Sequence, residues 1–337
     1  MAEKTAIAWC DSTWNPVEGC TSASPGCAHC YARARAQRLK LDFTPRPMPS
    51  RLDVPLHWRK GRRVFVPSLG DMFHEAIPFE YIATVFGAMA AAPQHTFIVC
   101  TKRPQRMAAF FEWMAAWHDE DRDGAHDGPI AAMWEAISTH PGPLPGLDNE
   151  GDEGDALGVA LDVAWPLPNV WLLTTAEDQD RANERVPWLL RCPAVVRGVN
   201  VEPQLEPVSF GVIPWGPSNR GYINALTGET EHAAVRDKPY AAPSPGRLSW
   251  VICGGESGRR ARPFDLTWMR RLRDQCKVTG VPFFAKQLGA HAIGDEGDCP
   301  SGRREAGRLL LEDSHGADER EWPADLRGCR AWPQVQP

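Results

Sequence analysis

The sequence has no long apolar segment and no excess of basic charge. No stretch approaches the roughly 20 apolar residues that a membrane-spanning helix needs. The first residues, MAEKT, lack the basic, apolar and small-residue regions of a signal peptide. The 37 basic and 43 acidic side chains give a net charge of −6, whereas a dedicated duplex-DNA binder usually has a strong basic excess. We therefore expect a cytoplasmic protein without a membrane partner.

The chain is also poor in cysteine, with 10 in 337 residues, and seven of these are scattered. A secreted protein held together by disulfides is shorter and more evenly studded with cysteine. The other three, Cys20, Cys27 and Cys30, fall within eleven residues. In a reducing compartment such a group is first a candidate metal or cluster site.

What the chain does contain is a repeated unit of an apolar run, a polar turn and an amphipathic segment. The near-continuous apolar runs are typical of parallel strands that are buried on both faces. A short strand is predicted within residues 7–17 and a helix over 28–41. The later strands are predicted at 63–69, 95–101, 169–175, 194–201, 249–253 and 281–286, and helices at 79–92, 104–117, 180–190 and 265–279. This order predicts an α/β fold, either an open doubly wound sheet or a barrel.

Three regions interrupt this pattern. Residues 118–168 are acidic and rich in glycine and proline, and residues 209–247 are rich in proline, glycine and asparagine. Both are longer than an ordinary connecting loop, so we interpret them as insertions at the rim of one domain that covers residues 1–289. Residues 290–337 form a polar C-terminal extension, and we expect its tip to be loose.

The three clustered cysteines have the spacing C-x6-C-x2-C in a loop that contains glycine and proline. The loop joins the first predicted strand to the first helix, at the carboxyl edge where such folds place their chemistry. Three thiolates can converge on one soft metal centre. A four-iron cluster bound by three cysteines leaves one iron free for an exogenous molecule, much as a catalytic zinc keeps one open position.

A structural zinc ion is the main alternative for this loop. Zinc takes four ligands, and the fourth could come from Cys10, His29, His57 or His74. The C-x2-C spacing alone does not decide between zinc and iron. Ordinary buried cysteines are the third interpretation.

Six segments of the chain resemble a family of phage-encoded and prophage-associated proteins of unknown function that is regarded as radical-SAM-like. The segments are TWNPVEGC…SPGCAHCYA, RRVFVPSLGDMFHE (62–75), PQHTFIVCTKRPQRM (93–107), AEDQDRANERVPWLL (176–190), CGGESGRRARPFD (253–265) and VPFFAKQLG (281–289). The resemblance extends from residue 9 to residue 289 and omits the two insertions and the C-terminal extension.

This resemblance implies a partial (β/α)6 barrel of the TIM type, with the cysteine loop after its first strand. It also implies that Cys20, Cys27 and Cys30 bind a [4Fe-4S] cluster whose fourth iron chelates S-adenosylmethionine. An electron donor such as a flavodoxin or ferredoxin would then drive reductive cleavage of S-adenosylmethionine and radical chemistry on a nucleotide, nucleic acid or protein. In such enzymes the protein supplies orientation and a dry cavity.

The chain departs from the radical SAM pattern at three places. The first cysteine gap has six residues where three are usual, and His29 stands where a hydrophobic or aromatic residue is common. Residues 173–176, LTTA, replace the Gly-Val-Ser-type stretch before the Glu-Asp of the middle strand. These departures concern the use of S-adenosylmethionine more than cluster binding.

Polar residues follow several predicted strands, and the resemblance makes them candidate cofactor ligands. Asp71 could accept a hydrogen bond from the amino group of S-adenosylmethionine, although aspartate is also a common helix cap. Thr174 and Glu177 suit a ribose, or the start of the following helix.

Two more strand ends supply the remaining candidates. Asn200 is a further cofactor-binding candidate, and Pro203 directs Glu202 towards the mouth of the barrel. Gly254 and Gly255 permit close approach of a ligand to the backbone, with Glu256 and Ser257 as polar contacts, although a tight turn is the alternative. We expect Glu202 and Glu256 to be catalytic, and the cofactor-binding residues to be Asp71, Thr174, Glu177, Asn200, Gly254, Gly255 and Ser257.

The function predicted from these residues is that of a radical-SAM-like iron–sulfur enzyme with an unknown substrate. A zinc-stabilised phage-type binding protein without catalysis is the alternative, and a cluster that only transfers electrons is the third possibility. The arginines of residues 31–38 are interpreted as a solvated helix surface, with contact to nucleic acid as the alternative.

Overall fold

The structure is a computed structural model that describes residues 5–118, 128–140, 164–216, 221–232, 246–298 and 300–335. Its strands are β1 (Ser12–Thr13), β2 (Val17–Glu18), β3 (Arg46–Pro47), β4 (Arg63–Val66), β5 (Thr96–Thr101), β6 (Val170–Thr175), β7 (Val196–Val201), β8 (Ile213–Trp215), β9 (Gly221–Ile223), β10 (Thr230–His232), β11 (Trp250–Gly254), β12 (Phe264–Asp265), β13 (Phe283–Gln287), β14 (Ala292–Ile293), β15 (Arg304–Glu305) and β16 (Arg308–Leu309). Its α-helices are α1 (Tyr31–Arg38), α2 (Phe79–Ala90), α3 (Pro104–Ala115), α4 (Pro129–Ser138), α5 (Gln179–Arg191) and α6 (Leu266–Thr279). None of these helices is both long and apolar enough to cross a bilayer.

One sheet organises the fold. It has seven strands in the order β1-β4-β5-β6-β7-β11-β13, and every neighbouring pair is parallel. The sheet is curled into a half-barrel with helices on its outside, so the predicted α/β barrel is confirmed in this coarser form and the doubly wound alternative is excluded. The six longer predicted strands and the four helices after them are confirmed, whereas the predicted first strand shrinks to the two residues of β1.

The two faces of the curled sheet bury different side chains. Because side chains alternate along a strand, Val199 and Val201 of β7 face the helices and belong to the main hydrophobic core. Val196 belongs to a second, inner cluster. Asn200 has the same parity as Val196, and Glu202 continues it beyond the end of β7, so both face the inside of the half-barrel.

Aromatic side chains fill the inside of the half-barrel at the amino ends of its strands. The Trp250 ring lies between those of Trp9 and Trp171, with centroid distances of 6.2 Å and 5.7 Å and nearly perpendicular planes. Phe284 contacts Trp250 from β13. Such edge-to-face contacts bury large apolar surfaces, and they form a floor below the carboxyl ends of the strands.

The C-terminal extension completes this floor. The Trp332 ring lies 4.8 Å from that of Phe284, and its indole N–H donates to the carbonyl of Trp9 at 3.3 Å. The backbone amide of Ala331 donates to Phe283 at 2.9 Å, so the chain also covers the exposed edge of β13. Residues as far as Trp332 therefore pack on the barrel, although the tip was expected to be loose; residues 336–337 lie outside the described part of the chain.

Parts of the two predicted insertions are described. Within residues 118–168, α4 packs so closely on α2 that a Cβ atom at Gly87 would lie 2.4 Å from Ile137 Cδ1. Within residues 209–247, β8, β9 and β10 form an antiparallel sheet. Residues 119–127, 141–163, 217–220 and 233–245 lie outside the described residues.

Replacing Trp332 with alanine tests the structural role of the extension. We expect W332A to lower the free energy of unfolding by about 3 kcal/mol, because the floor loses an aromatic ring and a cavity opens between Phe284 and Trp9. Urea denaturation measures this change. The matched control is V335A at a 37% exposed side chain, which should change stability by less than about 0.5 kcal/mol; equal effects of the two variants would contradict the packing role.

Candidate functional site

The cysteine loop, residues 20–30, lies across the carboxyl ends of the strands and is held there by three carboxylates. They come from segments that follow three different strands: Asp71 after β4, Glu177 after β6 and Glu256 after β11. All three side chains are buried. Because a buried carboxylate is stable only when it is paired or hydrogen-bonded, each fixes a cation or an amide beside the loop.

Asp71 fixes Arg103 next to the first cysteine. Its Oδ1 accepts from the Thr101 hydroxyl at 2.6 Å, and its Oδ2 accepts from the Lys102 amide and from Arg103 Nη1, both at 3.1 Å. Arg103 Nη1 also donates to Cys20 Sγ at 3.4 Å. Both oxygens of Asp71 are thus engaged by protein donors, and the predicted contact of Asp71 with S-adenosylmethionine stays a prediction.

Thr21, the residue after the first cysteine, is also held by side-chain hydrogen bonds. Arg103 Nη2 donates to the Thr21 hydroxyl at 2.9 Å, and His74 Nε2 lies 2.9 Å from the same oxygen. The Ala76 amide donates to His74 Nδ1 at 3.1 Å, so Nδ1 is unprotonated and Nε2 carries the proton. Burial and the nearby Arg103 charge lower the pKa of His74, which keeps the ring neutral.

Glu177 fixes the middle of the loop. Its Oε1 accepts from the Gly26 amide at 3.1 Å, and its Oε2 accepts from the buried Arg185 at 3.0 Å. Lys102 Nζ lies 3.5 Å from Oε2. Burial alone would raise the pKa of Glu177, but Lys102, Arg185 and the Ser24 hydroxyl outweigh it and lower the pKa. Glu177, predicted to contact a ribose, thus anchors the cysteine loop in this structure.

Glu256 fixes the end of the loop. Its Oε2 accepts from His29 Nδ1 and Arg262 Nε, both at 3.0 Å, while its Oε1 pairs with Arg262 Nη2. Arg262 Nη1 donates in turn to the Pro25 carbonyl at 3.1 Å. Hydrogen bonds from Arg262 and His29 outweigh the effect of burial and lower the pKa of Glu256 to about 2. The predicted catalytic role of Glu256 stays a prediction; the contacts seen here hold the loop.

The three clustered cysteines are free thiols in different environments. Burial and the Asp71 charge raise the pKa of Cys20 to about 11, and Arg103 opposes them only in part. Burial would also raise the pKa of Cys27, but the Ala23 amide, Lys102 and Ser24 outweigh it and lower the pKa. Cys30 is the residue that immediately precedes α1. Cys27 therefore ionises more readily than Cys20.

Two thiols of the cysteine loop form hydrogen bonds within the loop. In the described part of the chain, no group of three or more His, Cys, Asp or Glu side chains is placed as ligands of a metal ion. Cys20 Sγ lies 3.2 Å from the Thr21 carbonyl and Cys27 Sγ lies 3.5 Å from the Ala23 amide, so both thiols bond within the loop. The convergence of the three cysteines on one metal centre stays a prediction.

Below the loop, the inner face of the half-barrel changes from apolar to polar. Above the aromatic floor lie Cys100, Thr175 and Asn200. The strand register pairs Thr175 with Asn200, and Cys100 Sγ lies 3.6 Å from the Thr175 hydroxyl oxygen. Asn200 Oδ1 is buried without a hydrogen-bond partner among the described residues. Higher up, Lys286 Nζ donates to Glu202 Oε1 at 2.5 Å across β11. Asn200 and Glu202 thus line the mouth, towards which Glu202 was predicted to point.

Tyr31 is the aromatic residue of this mouth. Its hydroxyl donates to the Ser68 carbonyl at 2.5 Å, while 56% of its surface is open to solvent. The protein atoms crowded around the hydroxyl, together with nearby Cys30 and Glu202, raise the pKa of Tyr31. The ring therefore stays neutral and offers an exposed face next to the cysteine loop.

Four of the residues predicted to bind a cofactor are not among the polar side chains on the inner face of the mouth. Thr174 lies on the outer face with Leu172, and its hydroxyl donates to the Thr101 carbonyl at 3.0 Å. Its predicted contact with a ribose stays a prediction. A Cβ atom at Gly255 would lie 2.4 Å from the Leu288 carbonyl oxygen, and one at Gly254 would lie 3.2 Å from that of Gln287. The two glycines thus permit close packing of the chain on itself. Ser257 is exposed beyond them.

Sequence reasoning missed two residues of the site, Arg262 and Tyr31. Arg262 is 6 residues from Glu256 in sequence but 237 from Pro25, so no local spacing signals its contact with the loop. Tyr31 directly follows Cys30, and this position next to the cysteine loop was the sequence feature that could have indicated a role in the site.

Substituting alanine for Gly255 tests whether the Gly-Gly motif serves packing. We expect G255A to lose about 1–3 kcal/mol of folding stability in urea denaturation, because the new methyl group meets the Leu288 backbone. Gly297 is the matched control, since nothing lies within 4 Å of a Cβ atom placed there. G297A should keep or slightly raise stability, by about 0.5 kcal/mol; an unchanged stability of G255A would argue for a ligand-facing role.

A comparison with known proteins places the chain in a family without assigning an activity. No curated protein and no solved structure matches it. A family model described as "Protein of unknown function (DUF5131)" matches residues 4–319, which include the cysteine loop, all three carboxylate anchors and all seven strands of the half-barrel. The chain therefore belongs to the DUF5131 family of proteins of unknown function.

Proposed function

We propose that this protein is an iron–sulfur enzyme of the radical SAM kind. Cys20, Cys27 and Cys30 would bind a [4Fe-4S] cluster, and S-adenosylmethionine would occupy the position left open at the fourth iron. The observation that carries the proposal is the cysteine loop itself: three free thiols are held at the carboxyl edge of a half-barrel, above a polar wall.

The chemistry of the loop suits an iron–sulfur cluster. Such clusters are held by cysteine thiolates, and hydrogen bonds to the sulfur atoms and solvent exposure tune their potentials. Arg103 already donates to Cys20 Sγ at 3.4 Å, and the charge of Lys102 favours the thiolate of Cys27. Arg103 and Lys102 thus lie beside cysteines whose cluster would carry negative charge, which they would help to neutralise.

Two buried polar atoms suit S-adenosylmethionine. The ammonium of Lys102 makes no hydrogen bond within the described residues, and the same is true of Asn200 Oδ1. A carboxylate of the ligand would give the Lys102 ammonium a hydrogen-bond partner, and an amino or hydroxyl group of the ligand would give one to Asn200 Oδ1. When bound, the cluster would supply the electron that cleaves S-adenosylmethionine, and a donor such as a flavodoxin or ferredoxin would restore it.

The other residues of the mouth would bind the substrate and exclude water. The Glu202–Lys286 pair presents opposite charges at the top of the inner wall, so a polar substrate group that inserts between them finds both a donor and an acceptor. The aromatic floor closes the opposite end and keeps solvent from entering there. Glu202 remains the residue best placed to hold or move a proton.

Cluster loading tests the proposal directly. Anaerobic reconstitution with iron and sulfide should give about four iron atoms per chain and absorbance near about 400 nm. C20S, C27S and C30S should each lose most of this loading, because serine is a poor ligand for iron in such clusters. The matched control is C329S, a free and partly exposed cysteine outside the loop, which should load fully.

Turnover separates the enzyme from a structural cluster. The reduced, loaded protein should release 5′-deoxyadenosine from S-adenosylmethionine, and C20S, C27S and C30S should not. A colourless protein after reconstitution, or full loading of all three serine variants, would overturn the proposal. A loaded protein that leaves S-adenosylmethionine intact would restrict the cluster to electron transfer or structure.

Zinc is the second candidate, and one contact favours it. Histidines that bind zinc usually donate their other ring N–H to a carboxylate, and His29 Nδ1 lies 3.0 Å from Glu256 Oε2. Both ring nitrogens of His74 are already engaged, and the buried Cys10 packs with the aromatic floor. His29 is therefore the best fourth ligand of those that the sequence suggested.

Replacing His29 distinguishes the two metals. If zinc is held by three cysteines and His29, H29A should reduce the zinc content of freshly purified protein well below one per chain. If an iron–sulfur cluster is held by the cysteines alone, H29A should load like the unchanged protein. H57A is the control, because His57 is exposed and pairs with Asp53 outside the site; metal analysis of both variants decides the outcome.

A further inference from the structure

Two segments at the mouth of the half-barrel contain no acidic residue. No Asp or Glu occurs from residue 19 to residue 41, or from 257 to 264, in a chain that has 43 acidic side chains and a net charge of −6. The two segments lie next to each other, because Arg262 Nη1 donates to the Pro25 carbonyl and Glu256 accepts from His29. Cations without acidic neighbours in sequence are therefore concentrated around the candidate site.

The first segment presents its cations on one face of α1. Ala32 and Ala36 are buried on the side towards the protein. Tyr31, Arg35 and Arg38 follow one another at intervals of four and three residues, so they share one exposed face of the helix. Arg35 and Arg38 form no ion pair with any residue in the described ranges, and their charges are free to bind a ligand.

The second segment adds two arginines on the other side of the cysteine loop. Arg259 and Arg260 are exposed and have no ion-pair partner among residues that the structure describes. They lie three and two residues before Arg262, whose guanidinium is held by Glu256 against the loop. The Arg262–Glu256 ion pair thus keeps this arginine-rich segment beside the cysteine loop.

An exposed aromatic ring lies next to the cysteine loop, at the start of the helix that contains Arg35 and Arg38. The Tyr31 ring is 56% exposed, and its hydroxyl is fixed to the Ser68 carbonyl. A planar group such as a nucleobase could stack on the exposed face of this ring.

We infer that the mouth binds a single strand of nucleic acid, with phosphates on Arg35, Arg38, Arg259 and Arg260 and a base on Tyr31. Single-strand binders combine a cationic track for the backbone with aromatic rings on which bases stack. This inference rests on the proposed function in that it names the substrate class of the same site. It revises the interpretation of the α1 arginines as a solvated surface only.

The exposed aromatic ring beside the cations favours a nucleic acid over other anionic partners. A bilayer surface could pair with the arginines, but it offers no planar group that stacks on Tyr31. A nucleotide offers a phosphate for an arginine and, once unstacked, a base for the ring. Nucleic acid therefore accounts for both the cations and the exposed ring.

The inference is tested by measuring the binding of a labelled single strand by fluorescence anisotropy. The strand has about 12 nucleotides of mixed sequence and is used both as DNA and as RNA. Four phosphate contacts predict that log K falls with log salt with a slope near about −2.8. The double variants R35A/R38A and R259A/R260A should each reduce the magnitude of this slope by about 1.4. The control double variant R271A/K277A removes two exposed charges from α6, and it should keep the full slope.

A second pair of variants tests the aromatic ring. Y31L should weaken single-strand binding by about tenfold at constant salt, because a base loses its stacking partner. Y31F keeps the ring and removes only the hydrogen bond to Ser68, so it should bind like the unchanged protein. Far-UV circular dichroism of all variants confirms that each is folded.

Three results would overturn the inference: no binding of either strand at low salt, an equal loss in R271A/K277A, or equal affinity for vesicles that contain anionic lipid. All titrations are done with the full chain both as purified and after reconstitution with iron and sulfide. If the protein binds a strand but takes up no cluster, nucleic-acid recognition is supported and the proposed enzyme is rejected. If it takes up a cluster but binds no strand, the proposed enzyme is supported and nucleic-acid recognition is rejected.

Discussion

The arrangement of the mouth depends on the neutralisation of three buried carboxylates. Asp71, Glu177 and Glu256 each follow a different strand, and each is stable only because a cation or an amide of the cysteine loop or its supports lies against it. An irregular segment of eleven residues is thereby fixed at three points. The loop itself contributes almost no apolar surface to the core, so these polar contacts are what position its thiols.

The half-barrel supplies the second constraint, because alternation along parallel strands separates an outer and an inner face. The outer face packs under the helices, and the inner face carries aromatic rings at one end and polar groups at the other. The C-terminal extension closes the aromatic end through Trp332. A ligand that enters the half-barrel would therefore do so at the polar end, where the loop, Tyr31 and the Glu202–Lys286 pair lie.

Several acidic residues at the strand ends support the loop in this structure. Glu177 and Glu256 were expected to contact a cofactor or substrate, and both are engaged by backbone amides and guanidinium groups. A carboxylate that is saturated by protein donors has little capacity left for a ligand. The groups with capacity left are the Lys102 ammonium and Asn200 Oδ1, which are buried and lack hydrogen bonds among the described residues.

The sequence by itself determined the strands, the helices and the position of the cysteine loop, because apolar runs and helical periods are local properties. It also predicted that Glu202 points towards the mouth, because the proline after it prevents a helical continuation of the chain. Only the tertiary structure decided what each carboxylate binds: Arg262 reaches Pro25 across 237 positions, and Arg103 reaches Cys20 across 83. Such contacts depend on how the sheet curls and how far each side chain extends, and no local pattern encodes either.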